Sequence, residues 1–244
     1  MPLVAAIPLA GALAWGFVEA LVPSGGSAVP VERAPSVAPR RAGQFTVLAI
    51  GDSLARGTGA APGSGWVDDV SRTLGQRRPG LRLENLGIEG LETAGLRELL
   101  SHPQPRSAAA SADAILVSIG GNDLSHAVGR ARSESPLEAL GTARRTFETN
   151  LDAILAELKD LDPSGKIVLL LLYNPFGGSE LGEAGSSVIV DWNASAQKIA
   201  LSHGVATVPT FDLFESRPDR LSRDHFHPNE EGYKLIAERV NQIF

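Results

Sequence analysis

The sequence predicts an α/β domain: a three-layer α/β/α sandwich built on a five-stranded parallel sheet. Two observations predict it. Short, uniformly apolar runs recur along the chain, and amphipathic helical patterns separate them. A strand that is apolar at every position has no solvent-facing side, as in a parallel sheet covered on both faces. Strand–helix alternation throughout is the pattern of the doubly wound arrangement.

The first strand is FTVLAI at 45–50, which stops at Gly51. A helical pattern over 66–76 follows, then an apolar run at 81–86 and a helix over 93–100. AILVSI at 114–119 is the third strand, and a helix over 137–161 leads to KIVLLLL at 166–172. A helix over 187–202 precedes the last short run, 205–208. The final helix, 230–243, places Tyr233, Ile236, Ala237 and Val240 on one stripe, the spacing of a buried helix face. No internal repeat is present.

Two segments precede this domain, which spans 44–244. Residues 1–23 are apolar but for Glu19, with no charge from Leu3 to Val18, and small residues follow at 24–28. The run is short for a membrane span and suits the core of an export signal or an anchor. No Lys or Arg precedes it, and Arg33, Arg40 and Arg41 follow it. That order favours a domain kept on the cytoplasmic side. The expectation is a secreted or membrane-anchored, extracytoplasmic protein associated with the membrane through residues 3–22; a helix of a cytoplasmic protein is the alternative. Residues 24–43 are rich in Pro, Gly, Ser and Ala and read as a linker.

Composition narrows the chemistry. A formal charge of −6 with no basic block argues against a nucleic-acid partner. The absence of cysteine excludes disulfides, a thiol nucleophile, cysteine-ligated metals and a lipidated cysteine. Ligands of a doubly wound sheet bind beyond the carboxyl ends of the strands. The informative segments are therefore GDSLARG, NLGIEG, GGND and YNPFGG, with RDHFHPN before the last helix.

Ser53 directly follows the first strand, flanked by Gly51 and Asp52. A serine hydroxyl needs a base, and the base needs an orienting partner. Asp224 and His227 supply both, at a spacing that one turn can close. Acyl transfer also needs donors aimed at the developing oxyanion. The glycine-rich ends at 85–90 and 120–123 offer backbone N–H groups, and Asn122 adds a side-chain amide. Leu124, Phe176 and Phe226 are candidates for an acyl-binding wall.

GDSL after the first strand, glycine after the second, GGND after the third and DHFH before the last helix resemble the SGNH (GDSL) hydrolase superfamily, over residues 45–244. LAIGDSLARGTG, SIGGND, LYNPF and DHFHPNEEGY are most similar to bacterial extracytoplasmic GDSL-type lipase/acylhydrolases; the chain departs from lipoprotein members in lacking the cysteine. The resemblance implies a flavodoxin-like fold, Ser53 as nucleophile, His227 as base and Asp224 as its orienting partner. It further implies an oxyanion hole of Ser53 N–H, Gly90 N–H and the Asn122 side chain. Gly87 is the other registration for the glycine.

The expected function is a serine esterase or lipase-type acylhydrolase, cleaving carboxylic esters through an acyl-serine with no cofactor or metal. Its substrate would be a small-molecule, lipid or glycan ester. Alternatives are a carbohydrate O-deacetylase using the same site, a metal-dependent hydrolase centred on His225 and His227, and a catalytically silent envelope-binding protein. The metal reading lacks an HExxH and a second His pair. His102, His126 and His203 stand alone, and Asp52 and Asp123 read as loop-fixing acceptors. Glycines 57, 59 and 63 miss the dinucleotide fingerprint, and no GxSxG elbow surrounds Ser53.

Overall fold

A computed structural model describes residues 44–130, 135–161, 166–177 and 180–244. The expected apolar segment 1–23 and linker 24–43 lie outside the described residues. The strands are β1 (Thr46–Gly51), β2 (Arg82–Gly87), β3 (Ala114–Ser118), β4 (Lys166–Leu170) and β5 (Ala206–Val208). They form one sheet in the order β2-β1-β3-β4-β5, with every neighbouring pair parallel.

The helices, in chain order, are α1 (Ser53–Arg56), α2 (Trp66–Arg77), α3 (Thr93–Ser101), α4 (Pro103–Ala110), α5 (Gly121–Arg130), α6 (Pro136–Asp160), α7 (Glu180–Ser202), α8 (Phe211–Phe214) and α9 (Glu230–Asn241). The five helices expected from periodicity correspond to α2, α3, α6, α7 and α9. α7 begins earlier than expected, at Glu180.

Alternation along the strands divides the core in two. Leu48, Ile50, Ile115, Val117, Ile167 and Leu169 point to one face, against Leu96 of α3, Phe147 and Ile154 of α6 and Trp192 of α7. Val47, Ala49, Leu116, Val168 and Leu170 point to the other, against Trp66 and Val70 of α2 and Tyr233 and Ile236 of α9. This is why the central strands are apolar at every position: successive side chains enter different cores. Each large apolar side chain so buried contributes about 1.5–3 kcal/mol.

α5 was not legible as a helix. GGNDLSHAVGR is rich in residues of low helix propensity. Its helix is supported by Leu124, Ala127 and Val128, which sit on one buried stripe. The chain leaves β1 for β2 on one side and then returns to β3 on the other. The crevice at the carboxyl ends of β1 and β3 is the switch point of such a sheet.

Candidate active site

β1 ends at Gly51, whose φ is +127°. A Cβ there would lie 1.8 Å from the carbonyl oxygen of Ser118, so only glycine lets β1 and β3 approach this closely. Asp52 follows. Its N–H donates to Ser118 O at 2.9 Å, and its Oδ1 caps α1 by accepting from Leu54 N at 3.0 Å. Ser118 Oγ donates to the same oxygen at 2.7 Å and accepts from Ala55 N at 2.9 Å. The turn that presents Ser53 is thus clamped between two strands. Burial pushes the Asp52 carboxyl up, and despite the lowering hydrogen bonds from Ser118 and Leu54 its pKa is raised to about 6.

Ser53 begins α1 and its residue is 7% exposed. His227 Nε2 lies 2.9 Å from its Oγ, across 174 residues of sequence. His227 Nδ1 lies 2.7 Å from Asp224 Oδ2. Asp224 Oδ1 accepts from Ser222 Oγ at 2.7 Å and from the N–H groups of Phe226 and His227, each at 2.9 Å. Partial burial raises the Asp224 pKa, but the hydrogen bonds from His227, Ser222 and the two backbone donors outweigh it and hold the carboxyl at about 2. An ionised Asp224 only accepts, so the proton on Nδ1 faces it and the Nε2 lone pair faces the Ser53 hydroxyl.

The loop carrying this pair is fixed at both ends. Ser222 N donates to His227 O at 2.7 Å, and Leu221 and Pro228 form an antiparallel bridge. Asn229 caps α9, accepting from Gly232 N at 3.0 Å. From beneath, Tyr173 Oη donates to Phe226 O at 2.7 Å.

The opposite wall comes from β2 and β3. Gly90 occupies an exposed turn with φ +74°, closed by a bond from Leu91 N to Ile88 O at 3.3 Å. Among the described residues, neither Ser53 N–H nor Gly90 N–H donates a hydrogen bond. Asn122, 9% exposed, donates one amide hydrogen to Leu91 O at 3.0 Å. That bond ties the Gly90 turn to α5 and leaves the other amide hydrogen for the crevice. Next to it, Asp123 accepts from Thr93 N at 3.0 Å and from the Thr93 hydroxyl, which in turn accepts from Asn150 Nδ2 at 3.2 Å. Burial raises the Asp123 pKa, with the Thr93 bonds opposing.

The sequence-derived candidates are distributed as follows. Ser53, His227 and Asp224 form one hydrogen-bonded line. Ser53, Asn122, Leu124 and Phe226 line one cavity. Phe176 is not among its lining residues; Pro175 of the same loop is, and the Phe176 ring lies 6.4 Å from that of Phe226, centroid to centroid. His225 is exposed at φ +56°, and both ring nitrogens of the neighbouring His227 are already engaged. Among the described residues no three His, Cys, Asp or Glu side chains gather as metal ligands. Sequence reasoning missed Ser118, Thr93, Tyr173, Leu172 and Ile189. Ser118 is the one with a visible signal, a polar residue inside an otherwise apolar strand.

Comparison with known proteins agrees with this architecture. Residues 49–235 match the model of the GDSL-like lipase/acylhydrolase family. The uncharacterized protein YpmR of Bacillus subtilis is 31% identical over 206 residues, 81% of this chain and 80% of that protein. The spore germination lipase LipC of Bacillus licheniformis is 28% identical over 204 residues, 81% of this chain and 94% of that one. Among solved structures, the lipase Lip_vut3 from a goat rumen metagenome superposes with a TM-score of 0.72 at 26% identity, covering 81% of this chain and 96% of its own. With its sheet order, switch-point crevice and motif blocks in place, the chain belongs to the GDSL-like lipase/acylhydrolase family and is a hydrolase acting on ester bonds.

Proposed function

We propose that the protein cleaves carboxylic esters through an acyl-enzyme on Ser53. The observation that carries this reading is the Ser53–His227–Asp224 line, with contacts of 2.9 and 2.7 Å. Ser53 Oγ attacks the ester carbonyl carbon while its proton passes to His227 Nε2. The carbonyl oxygen becomes an oxyanion, received by Ser53 N–H, Gly90 N–H and the free amide hydrogen of Asn122. The carbon–oxygen bond to the alcohol then breaks, and the alcohol oxygen takes the proton from His227. Water next gives its proton to His227 and its oxygen to the acyl carbon, and Ser53 leaves with the proton restored. Asp224 stays ionised throughout and stabilises the imidazolium.

The test is hydrolysis of p-nitrophenyl esters by wild-type and Ser53→Ala protein, with fluorophosphonate labelling followed by mass spectrometry. Turnover should fall by roughly 10³- to 10⁶-fold in the variant, and the label should sit on Ser53. Wild-type turnover by Ser53→Ala would overturn the assignment.

A further inference from the structure

The cavity beside Ser53 has one polar end and otherwise apolar walls. Asp52, Ser53 and Asn122 mark the polar end; Leu54, Leu124, Leu172, Pro175, Ile189 and Phe226 supply most of the rest, with Gly121 and Tyr173. Its course follows from the sheet order. Ser53 follows β1, Asn122 and Leu124 follow β3, and Leu172 and Pro175 follow β4. The lining residues therefore span two strand spacings, about 10 Å, from the nucleophile. At that side stands Ile189 of α7, 3% exposed and packed in the core.

Ile189 is held there by a polar clamp one turn along the same helix. Asn193 Nδ2 donates to Leu172 O and Asn193 Oδ1 accepts from Leu172 N, both at 2.8 Å. The side-chain amide completes the backbone groups of the chain just past β4, so α7 cannot slide along the strand without leaving both unpaired. The clamp fixes the position of Ile189 against the segment after β4.

A different groove lies on the other side of the Asp224–His227 pair. It is open and lined by Gly59, Ser222, Arg223, Asp224 and Glu231 among others. The alcohol must leave, and water must enter, while the acyl group remains on Ser53. A mainly apolar cavity suits the group that stays; an open polar groove on the Asp224 side suits the group that goes.

We infer that the cavity between Ser53 and Ile189 is the acyl site and that Ile189 is its end stop, selecting short aliphatic acyl chains. The inference rests on the ester-hydrolase reading above. The cavity volume is about 50 Å³. A cavity of this size has room for a few methylene groups beyond the carbonyl carbon and not for a long chain. The acyl groups are therefore short aliphatic chains longer than acetyl. Acetyl leaves most of the apolar wall uncovered, and a long chain meets Ile189.

The experiment is kcat/KM for p-nitrophenyl esters from acetyl to decanoyl, on wild-type, Ile189→Phe and Ile189→Ala. In wild type, kcat/KM should rise roughly fourfold per methylene from acetyl to an optimum at a short chain and fall at octanoyl and decanoyl. Ile189→Phe should lower the hexanoyl-to-acetyl ratio at least tenfold. Ile189→Ala, which opens space, should move the optimum two or three carbons longer, so the test survives failure of the bulky variant to fold. A wild-type profile peaking at acetyl, or variants that scale all chain lengths by one factor, would overturn the acyl-stop assignment alone. No hydrolysis at any chain length would overturn the ester-hydrolase reading with it.

Discussion

Asp52 is 3% exposed and its Oδ1 receives two hydrogen bonds, from Leu54 N at 3.0 Å and Ser118 Oγ at 2.7 Å. Burial nevertheless raises its pKa from 3.8 to about 6. A carboxyl whose folded pKa is raised keeps its proton in the native state between those values while the unfolded chain has already released it. The neutral carboxyl is therefore fully tolerated below pH 3.8, and stability is lost as pH rises through about 6. The whole shift corresponds to about 3 kcal/mol, most of which falls between pH 4 and 7.5. Asn at this position retains an acceptor for both bonds and does not titrate. Urea unfolding of wild type and Asp52→Asn across pH 4 to 8 measures the effect, since groups not coupled to Asp52 cancel in the difference and the neighbouring Asp123 adds a smaller contribution. The variant should gain about 2–3 kcal/mol over wild type between the two ends. A difference that stays constant to within about 0.5 kcal/mol would refute the claim that a buried, destabilised carboxylate sits beside Ser53.

Other perturbations test the remaining parts of the site. Asn122→Ala removes the amide that faces the crevice and the tie to Leu91 O; kcat on a short-chain ester should fall by about 10²- to 10³-fold, and an unchanged kcat would exclude Asn122 from the oxyanion site. Asp224→Asn should lower kcat by roughly 10⁴-fold by favouring the wrong imidazole tautomer. Because the folded Asp224 pKa is depressed to about 2, its stabilisation is present above 3.8 and lost as pH falls through about 2; acid titration of unfolding should show that loss in wild type and not in Asp224→Asn. Gly51→Ala brings a Cβ to 1.8 Å from Ser118 O at a φ of +127°, and thermal unfolding should show a loss of at least about 2 kcal/mol.

Much of the domain was readable before folding was considered. The five strands and five of the helices followed from apolar periodicity, because burial on both sheet faces forces every strand position to be apolar and helix burial forces a stripe. β2 is the least uniform of them: its pattern RLENLG carries Arg82, Glu84 and Asn85, as befits a strand at the sheet edge. The helix Pro103–Ala110 begins on a proline and the helix Gly121–Arg130 on a glycine and two polar residues. Such sequences form helices when packing supports them, and periodicity alone does not reveal that support.

The sequence by itself determined which residue types could perform acyl transfer and roughly where the fold would present them. Ser53, Asn122, Asp224 and His227 are set by local motifs at strand ends, and a motif is a property of neighbouring residues. Only the tertiary structure decided the order of the strands, the 2.9 Å contact between Ser53 and His227, and the clamp of Asn193 on Leu172 that holds Ile189 in place. Leu124 and Phe226 were legible from their motifs; the other apolar walls belong to that second class. Leu54, Leu172, Pro175 and Ile189 come from α1, the segment after β4 and α7, apolar residues indistinguishable in sequence from ordinary core. Their role arises from which strand lies beside which, and strand adjacency is fixed by long-range packing that no local pattern encodes.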